Sequence, residues 1–348
     1  MSHALVTPLR PPPSRSLKQR TLRFVITVGT PLLAAYQYEM GGWVLYLSFG
    51  ALLGFSGDVG GPAFTRLRYM AVGPGFLILG AVLGAISLWW SAWLFFCAAI
   101  LIGYLYGLVE SRHTHLITAA RFLGYGLVFG YAVAPITLSD VALTLSSLTW
   151  AWVVSLSWDV LTRQATPLCT PSVRRSLWRS YRQAGKHRYF ALATGFSIAL
   201  AYLVCLFTGN DYPYWAILTI LIVLQSDVRN SAARISERVS GTILGVFTVV
   251  AIVSLSTYPL VLLIAALVAA TLRWPAFQLH PTFGTACLTS FILLLATLSL
   301  PPDTDNLSVL QDRLLATFIG CSFALLTTQL QLFLRFVHQR WRRLVSPP

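Results

Sequence analysis

Charged residues are scarce in this sequence. Only 10% of the 348 residues are Asp, Glu, Lys or Arg, whereas soluble domains carry about 25%. Acidic residues are the scarcer sign, with 11 of them against 25 basic residues. So little charge argues against an ordinary water-soluble domain.

Signatures of enzymes and metal sites are also missing. The sequence has no Walker A loop, no H-E-x-x-H, no G-x-S-x-G and no S-x-x-K placed for nucleophilic attack. The five cysteines form no C-x-x-C pair, and four of them lie inside apolar runs, where a thiol is usually a packing residue. We therefore predict a protein that is not an enzyme, holds no metal or cofactor, and does not hydrolyse ATP.

Long apolar runs are what the sequence has in abundance. Hydrophobic residues make up 56% of the chain, and the mean hydropathy is +0.70. A helix of about 20 apolar residues spans a lipid bilayer. We predict an all-α polytopic membrane protein with about twelve transmembrane helices, at 22–38, 42–57, 69–89, 91–109, 114–135, 141–162, 189–208, 213–226, 236–256, 258–273, 279–299 and 310–335.

Basic residues flank these runs in a pattern that favours one topology. They cluster in three stretches, 1–21, 164–188 and 336–348. Short basic flanks collect on the cytoplasmic side of a membrane, and with a cytoplasmic N-terminus the connections on the other side are almost free of Lys and Arg. We predict that both termini are cytoplasmic, and the alternative of a nucleic-acid surface is disfavoured because the clusters adjoin apolar spans.

The chain divides into two similar halves. We predict a six-helix repeat over 22–163 and another over 189–335, joined by a basic cytoplasmic linker, 164–188, between basic tails at 1–21 and 336–348. The stretch "GGWVLYLSFGALLGFSGDVGG" matches "YPYWAILTILIVLQSDVRN", aligning Trp43 with Trp215 and Asp58 with Asp227. Internal repeats of this kind are typical of secondary transporters.

The second apolar run of each half is unusually short. Each has about 14–16 residues, fewer than the ~20 that cross a bilayer, and each leads into a polar, small-residue stretch, "GDVGGPAFTR" or "SDVRNSAAR". Paired short spans at corresponding positions indicate a transporter binding site. The alternative is a helix end followed by an ordinary cytoplasmic turn.

An R-x3-T-x2-G motif occurs twice, in "ERVSGTILG" and "RLLATFIG". Positions i, i+4 and i+7 share one face of a helix, so Arg238 aligns with Thr242, and Arg313 with Thr317. The motifs open the third and sixth runs of the C-terminal half, which predicts an inverted 3+3 repeat with Arg238 near the cytoplasmic face and Arg313 near the outer face. The alternative is close helix packing at the glycines with arginines reaching the interface.

Arginines outnumber acids around these segments, and aromatic residues lie nearby. This composition favours an anionic, aromatic ligand. Asp58 and Asp227 either carry protons for coupling or neutralise arginines. The predicted substrate-binding residues are Arg238, Thr242, Arg313, Thr317, Arg234, Arg66, Arg68, Trp43, Trp215 and Tyr214.

The stretch "YWAILTILIVLQSDVRNSAARISERVSGTILG" resembles the signature region of the fusaric acid resistance and aromatic acid exporter family. Residues 213–245 carry its Y-W-A helix start, its short polar break and its R-x-x-G-T-x-x-G motif. The N-terminal half departs from the pattern, with Val72 where the threonine would stand. The resemblance implies an efflux protein of the bacterial inner membrane that exports aromatic carboxylic acids, driven by the proton-motive force.

The resemblance also implies partners: a periplasmic membrane-fusion (adaptor) protein and a second copy of the chain in a homodimer. Lipid is the expected surroundings, and nucleic acid is not an expected partner. Two alternatives stay open at this point. The chain could be a passive anion channel with arginine gates, or a non-transporting membrane anchor of an envelope complex.

Overall fold

The fold is that of a computed structural model, which describes residues 17–38, 44–109, 114–132, 136–162, 173–210, 212–224, 228–299 and 306–345.

Within those ranges the chain forms thirteen α-helices and no strand. The helices are α1 (Leu17–Gln37), α2 (Val44–Gly57), α3 (Ala63–Met70), α4 (Val72–Trp90), α5 (Ala92–Leu108), α6 (Thr114–Ala132), α7 (Leu138–Thr162), α8 (Val173–Phe207), α9 (Tyr214–Val223), α10 (Val228–Leu255), α11 (Pro259–Leu279), α12 (Pro281–Ser299) and α13 (Asn306–Val345).

Each predicted apolar span coincides with a helix, α3 and α4 together forming one rod over 63–90. In the described ranges, six helical stretches are long and apolar enough to cross a membrane, and five further helices are apolar but shorter. The prediction of an all-helical membrane protein is confirmed. How many of the helices cross the bilayer stays a prediction.

Local sequence signals explain where several helices begin. Thr137 and Asp140 form a reciprocal cap before α7: the Thr137 amide donates to the Asp140 carboxylate (2.8 Å), and the Asp140 amide donates to the Thr137 hydroxyl (3.3 Å). The Ser91 hydroxyl accepts from the Trp93 amide at the start of α5. The chain turns after α2 at Gly60 and Gly61, whose φ angles of 76° and 85° favour glycine.

Two segments predicted as linker and tail are partly helical. Helix α8 begins at Val173, so the second part of the stretch 164–188 continues directly into the apolar part of that helix. Helix α13 likewise continues to Val345. Arginine and lysine are good helix formers, so a basic sequence extends a helix as readily as an apolar one does.

Helix contacts follow the same arrangement in the two halves. In the first half, α4 packs on α6, α2 on α7 and α1 on α2. In the second half, α10 packs on α12, α9 on α13 and α8 on α9. Counting α3 and α4 as one rod, these are the same pairs of positions, so corresponding helices have corresponding neighbours.

The halves also interlock. Helix α5 packs on α8 and α11 packs on α1, which joins the fourth rod of each half to the first rod of the other. One buried core is built from α5, α6, α8, α9 and α13, and another from α1, α2, α10, α11 and α12. Each core therefore needs helices from both halves.

Candidate functional site

A cavity of about 70 Å³ lies between α9, α10, α12 and α13. That volume has room for a few water molecules. Leucine, isoleucine and valine side chains form much of its wall. The remaining wall residues are Trp215, Thr219, Arg238, Thr242, Thr289 and Thr317.

Glycines bring these four helices close enough to enclose the cavity. A methyl group on Gly245 would lie 2.7 Å from the Thr289 Cβ of α12, and one on Gly320 would lie 2.7 Å from the Thr219 Cβ of α9. Such distances are too short for any larger residue. Because Thr242 and Thr317 are each three residues before one of these glycines, the close contacts also bring both hydroxyls to the cavity wall.

Arg238 is the only cationic residue in the lining that the structure records, and it is half-buried. Within the described residues, no carboxylate and no hydrogen-bond acceptor pairs with its guanidinium. Arg238 lies in the first turn of the apolar part of α10, Ser236–Leu255, where a half-buried cation loses part of its hydration. An unpaired one is therefore expected to serve a ligand rather than the fold.

Two threonine hydroxyls of the wall are also free. Thr219 donates to the Trp215 carbonyl one turn earlier (2.9 Å), which satisfies its proton. Thr242 and Thr289 make no hydrogen bond to any residue that the structure describes. A ligand oxygen in the cavity could thus accept from Arg238 and from two hydroxyls.

A second cation lies beside the cavity at the end of α9. Arg121 donates from Nε to the Leu221 carbonyl (3.1 Å) and from Nη2 to the Tyr106 hydroxyl (3.0 Å), while Tyr106 donates to the Leu224 carbonyl (2.7 Å). The last carbonyls of a helix carry partial negative charge, which stabilises a cation. The charges of Arg121 and Arg238 interact across this region. Arg121 of α6 therefore adds positive potential at the end of α9, next to the cavity.

A buried ion network occupies the junction of α1, α3 and α7 in the first half. Asp58 pairs with Arg23 (2.7 Å) and with Arg66 (3.3 Å), and Arg66 pairs in addition with Asp159 (2.6 Å). The Ser155 hydroxyl donates to Asp58 (2.6 Å) and accepts from Arg66 (2.9 Å). Arg66 is only 1% exposed. Its charge is thus balanced within the protein.

The network keeps Asp58 ionised. Burial raises the pKa of Asp58, but the attraction of Arg23, the hydrogen bond from Ser155, the attraction of Arg66 and the amide of Gly60 together outweigh it, so its pKa lies below the ordinary value. In this arrangement Asp58 carries no proton near neutral pH.

Two further arginines lie against the ring of Trp274 of α11. The guanidinium carbon of Arg20 lies 3.9 Å from the centre of the Trp274 ring, and that of Arg273 lies 5.1 Å from it. The two carbons are therefore at most about 9 Å apart, where like charges repel by roughly 2 kcal/mol at an effective dielectric constant of 20. In the described ranges, neither guanidinium has a carboxylate partner.

The cavity brings together four residues that the sequence predicts as substrate-binding: Arg238, Thr242, Thr317 and Trp215. Tyr214 contacts the Trp215 ring, with centroids 6.5 Å apart, but does not line the cavity. The predicted roles of these residues stay predictions, since no ligand is bound.

Other predicted residues lie elsewhere. Arg66 belongs to the ion network, and Arg68 is exposed, with its guanidinium 4.7 Å from the centre of the Phe64 ring. The remaining four fall outside what the structure describes: Trp43 and Asp227 altogether, and Arg234 and Arg313 in their side chains.

Sequence reasoning missed Thr219, Thr289 and Arg121. Thr289 stands four residues after Thr285, and this i, i+4 pair packs against the i, i+4 glycines of α10. A threonine pair facing a glycine pair was a readable signal. Arg121 was harder to identify, because one of its partners is the Leu221 backbone carbonyl, which any sequence supplies, and the other is the Tyr106 hydroxyl of a different helix.

A smaller, apolar cavity of about 20 Å³ occupies the corresponding place in the first half, between α2, α4, α6 and α7. Gly80 packs on α6 as Gly241 packs on α12. Counting from these glycines, Leu77 stands where Arg238 does and Ala81 where Thr242 does. By these glycine contacts Ala81, rather than Val72, corresponds to Thr242.

One comparison with known proteins falls in the second half of the chain. Residues 198–327 match the family model described as fusaric acid resistance protein-like. An uncharacterised protein of Synechocystis sp., slr1298, is 28% identical over 118 residues, which are 34% of this chain and 15% of that relative. No solved structure matches the chain.

The matched region contains every lining residue of the arginine cavity, from Trp215 to Thr317. The family and the apolar helices together indicate a transporter-like membrane protein. Residues 198–327, and the cavity with them, are thus the part of the chain that is similar to the fusaric acid resistance protein-like family.

Proposed function

We propose that this protein transports organic anions across a membrane and that the cavity around Arg238 binds them. The observation that carries the proposal is an arginine without a counter-ion among the described residues, set in a partly open cavity with apolar side chains and free hydroxyls in its wall. Ionic groups in such surroundings are costly and usually functional. An anion in the cavity would supply the missing counter-charge.

The lining fits a carboxylate attached to an apolar or aromatic body. Guanidinium binds carboxylate through two parallel N–H donors. Thr242 and Thr289 offer further donors, while Trp215, Leu218 and Ile222 provide apolar surface for the rest of the molecule. The cavity is small, so a ring-sized substrate requires the helices to move apart, as alternating access demands in any case.

We further propose export through the bacterial inner membrane, with both termini in the cytoplasm and the proton-motive force as energy source. The basic flanks support the orientation. Arg238 and Arg313 would serve opposite ends of the path, since their motifs open helices that run in opposite directions in an inverted repeat. A periplasmic adaptor protein and a homodimer complete the proposed assembly.

Flux measurements test this proposal. In proteoliposomes loaded with radiolabelled benzoate, we expect Arg238→Ala to lower transport at least ten-fold relative to the wild type. Arg188→Ala is the matched control, because Arg188 is an exposed arginine at 4.8 Å from the Tyr189 ring and away from the cavity. Equal transport by Arg238→Ala and Arg188→Ala, at equal insertion, would disprove the site.

A passive anion channel is the second candidate. The observation that favours it is the composition of the cavity wall, whose described residues include no carboxylate and no imidazole that could accept a coupling proton. An imposed pH gradient separates the two functions: uphill benzoate movement identifies the exporter, and purely downhill current identifies the channel. A non-transporting membrane anchor would show neither uphill benzoate movement nor downhill current.

A further inference from the structure

We propose a second oxyanion-binding site, formed by Arg20 of α1 and Arg273 of α11 around Trp274. It lies outside the cavity between α9, α10, α12 and α13, and it joins the two halves of the chain, because α1 packs on α11. Its ligand is a carboxylate or a phosphate, the oxyanions that guanidinium groups bind best.

The geometry shows two cations held against one indole. Arg20 lies 3.9 Å and Arg273 lies 5.1 Å from the ring centre, so both charges are confined to a small volume. The ring attracts each cation through its negative face, but it cannot cancel the repulsion between them. An oxyanion between the two guanidinium groups would turn that repulsion into two attractions.

Arg23, one helix turn after Arg20, shows how the protein treats a similar arginine. Arg23, also on α1, is 4.8 Å from the Phe55 ring and in addition reaches Asp58 at 2.7 Å. There the protein provides both the aromatic face and the counter-ion. At Trp274 it provides the aromatic face, and no described carboxylate pairs with either arginine. The described residues therefore leave the counter-ion position at Trp274 open to an added oxyanion.

The position of Arg273 links this site to the cavity. Arg273 interacts electrostatically with Arg20 on one side and with Arg238 on the other. The charge of Arg273 thus acts on the guanidinium of the cavity as well as on that of Arg20. Resting on the proposed function, we assign the pair as the loading site, which concentrates the anion before it enters the cavity.

Two sources could supply the oxyanion: a dissolved carboxylate, or the phosphate of an anionic lipid headgroup. The test therefore uses full-length protein in nanodiscs of phosphatidylcholine alone or with phosphatidylglycerol, and it measures equilibrium binding of radiolabelled benzoate. The variants are Arg20→Gln, Arg273→Gln, Arg273→Lys and Arg238→Gln, with Arg188→Gln as the control. Far-UV circular dichroism and a monodisperse elution profile establish that each variant is folded.

We expect wild type and Arg188→Gln to bind two benzoates per chain in phosphatidylcholine. Arg20→Gln and Arg273→Gln should each lose one of them by at least ten-fold in affinity, and Arg238→Gln should lose the other. Arg273→Lys keeps the charge and should retain most of the binding. Displacement of the Arg273-dependent benzoate by phosphatidylglycerol would assign the site to a lipid headgroup, and no displacement would assign it to the dissolved anion.

The outcomes distinguish this site from the cavity. If Arg20→Gln and Arg273→Gln each still bind two benzoates in both lipid compositions, the second site is overturned and the cavity assignment is unaffected. Two benzoates bound by Arg238→Gln, with one lost in Arg273→Gln, would overturn the cavity assignment and uphold the second site. Absence of benzoate and lipid binding in the wild type would overturn both.

Discussion

Arg66 and Arg238 each lie on the third rod of their half of the chain, at positions that do not correspond, and their surroundings differ. Arg66 contacts Asp58, Asp159 and Ser155, and its charge is neutralised within the protein. Arg238 has no such partner among the described residues and borders an empty space. Similar helix packing thus produces a locked ion network in one half and an open cationic cavity in the other.

The contacts between helices also differ between the two halves. Where α4 meets α6, glycines face each other: Gly80 packs beside Gly126, and Gly84 beside Gly130. Where α10 meets α12, glycines face threonines instead. The first interface leaves only a small apolar cavity, whereas the second keeps hydroxyls and space. We infer that the first half serves mainly as a scaffold and the second half carries the site.

The largest expected effect is on stability in the first half. Arg66→Ala leaves Asp58 and Asp159 buried without that counter-ion, which should lower the free energy of unfolding by about 3–5 kcal/mol. Arg238→Ala breaks no ion pair between described residues, so we expect a change within about 1 kcal/mol. Unfolding of the purified protein, followed by tryptophan fluorescence, measures both.

Arg68→Ala is the control for that comparison, because Arg68 is exposed on the same helix as Arg66. It should be almost as stable as the wild type. If Arg66→Ala were no less stable than Arg68→Ala, the ion network would contribute nothing and the contrast between the halves would fail.

A smaller effect is expected at the glycine contacts. A methyl group on Gly80 would meet the carbonyl oxygen of Leu123, a backbone atom that cannot turn away. Gly80→Ala should therefore destabilise the protein by about 1–3 kcal/mol, the usual cost of overpacking. Gly75→Ala, also on α4, has no heavy atom within 4 Å of the added methyl and should be up to about 1 kcal/mol more stable, as alanine favours helix.

Unfolding in denaturant compares the two alanine variants directly. Equal destabilisation by both would show that helix propensity, and not the close approach of α4 and α6, decides the outcome.

The smallest effect concerns pH. Because the pKa of Asp58 is lowered in the folded protein, its stabilising contribution is present above its unfolded pKa of about 4 and is lost only as the pH falls through the lower folded value. The stability difference between wild type and Asp58→Asn should thus be constant from pH 8 to pH 5 and shrink in stronger acid. A difference that changed around pH 6–7 would show that Asp58 titrates there.

The helices were predictable because apolar runs mark them directly. The short α2 and α9, with 14 and 10 residues, follow from their short runs, as does the break after Asp58. The convergence of Arg238 and Thr242 also followed from helix geometry, since residues four apart share a face. Trp215 was predicted for the site from the repeat and from the family resemblance.

Contacts between distant helices could not be read in this way. Nothing in the sequence joins Arg66 to Ser155 and Asp159, which lie 89 and 93 positions later. The same limit hid Arg273, whose neighbour Arg20 is at the other end of the chain. The helix contacts of Gly80 and Gly241, which suggest a different alignment from the one at Val72, are of the same kind.

Helices α8 and α13 have 35 and 40 residues, or about 52 and 60 Å at 1.5 Å per residue, against a bilayer core of about 30 Å. They run antiparallel, since Asn210 at the end of α8 donates to the Asp312 carbonyl near the start of α13. The ends of α8 and α13 away from this contact, residues 173–187 and 332–345, therefore point the same way, and their sequences carry basic residues and no acid. The consequence is kinetic. These two basic helix ends raise the local concentration of anions over about one Debye length, so we expect the protein to bind anionic substrate fastest at low ionic strength.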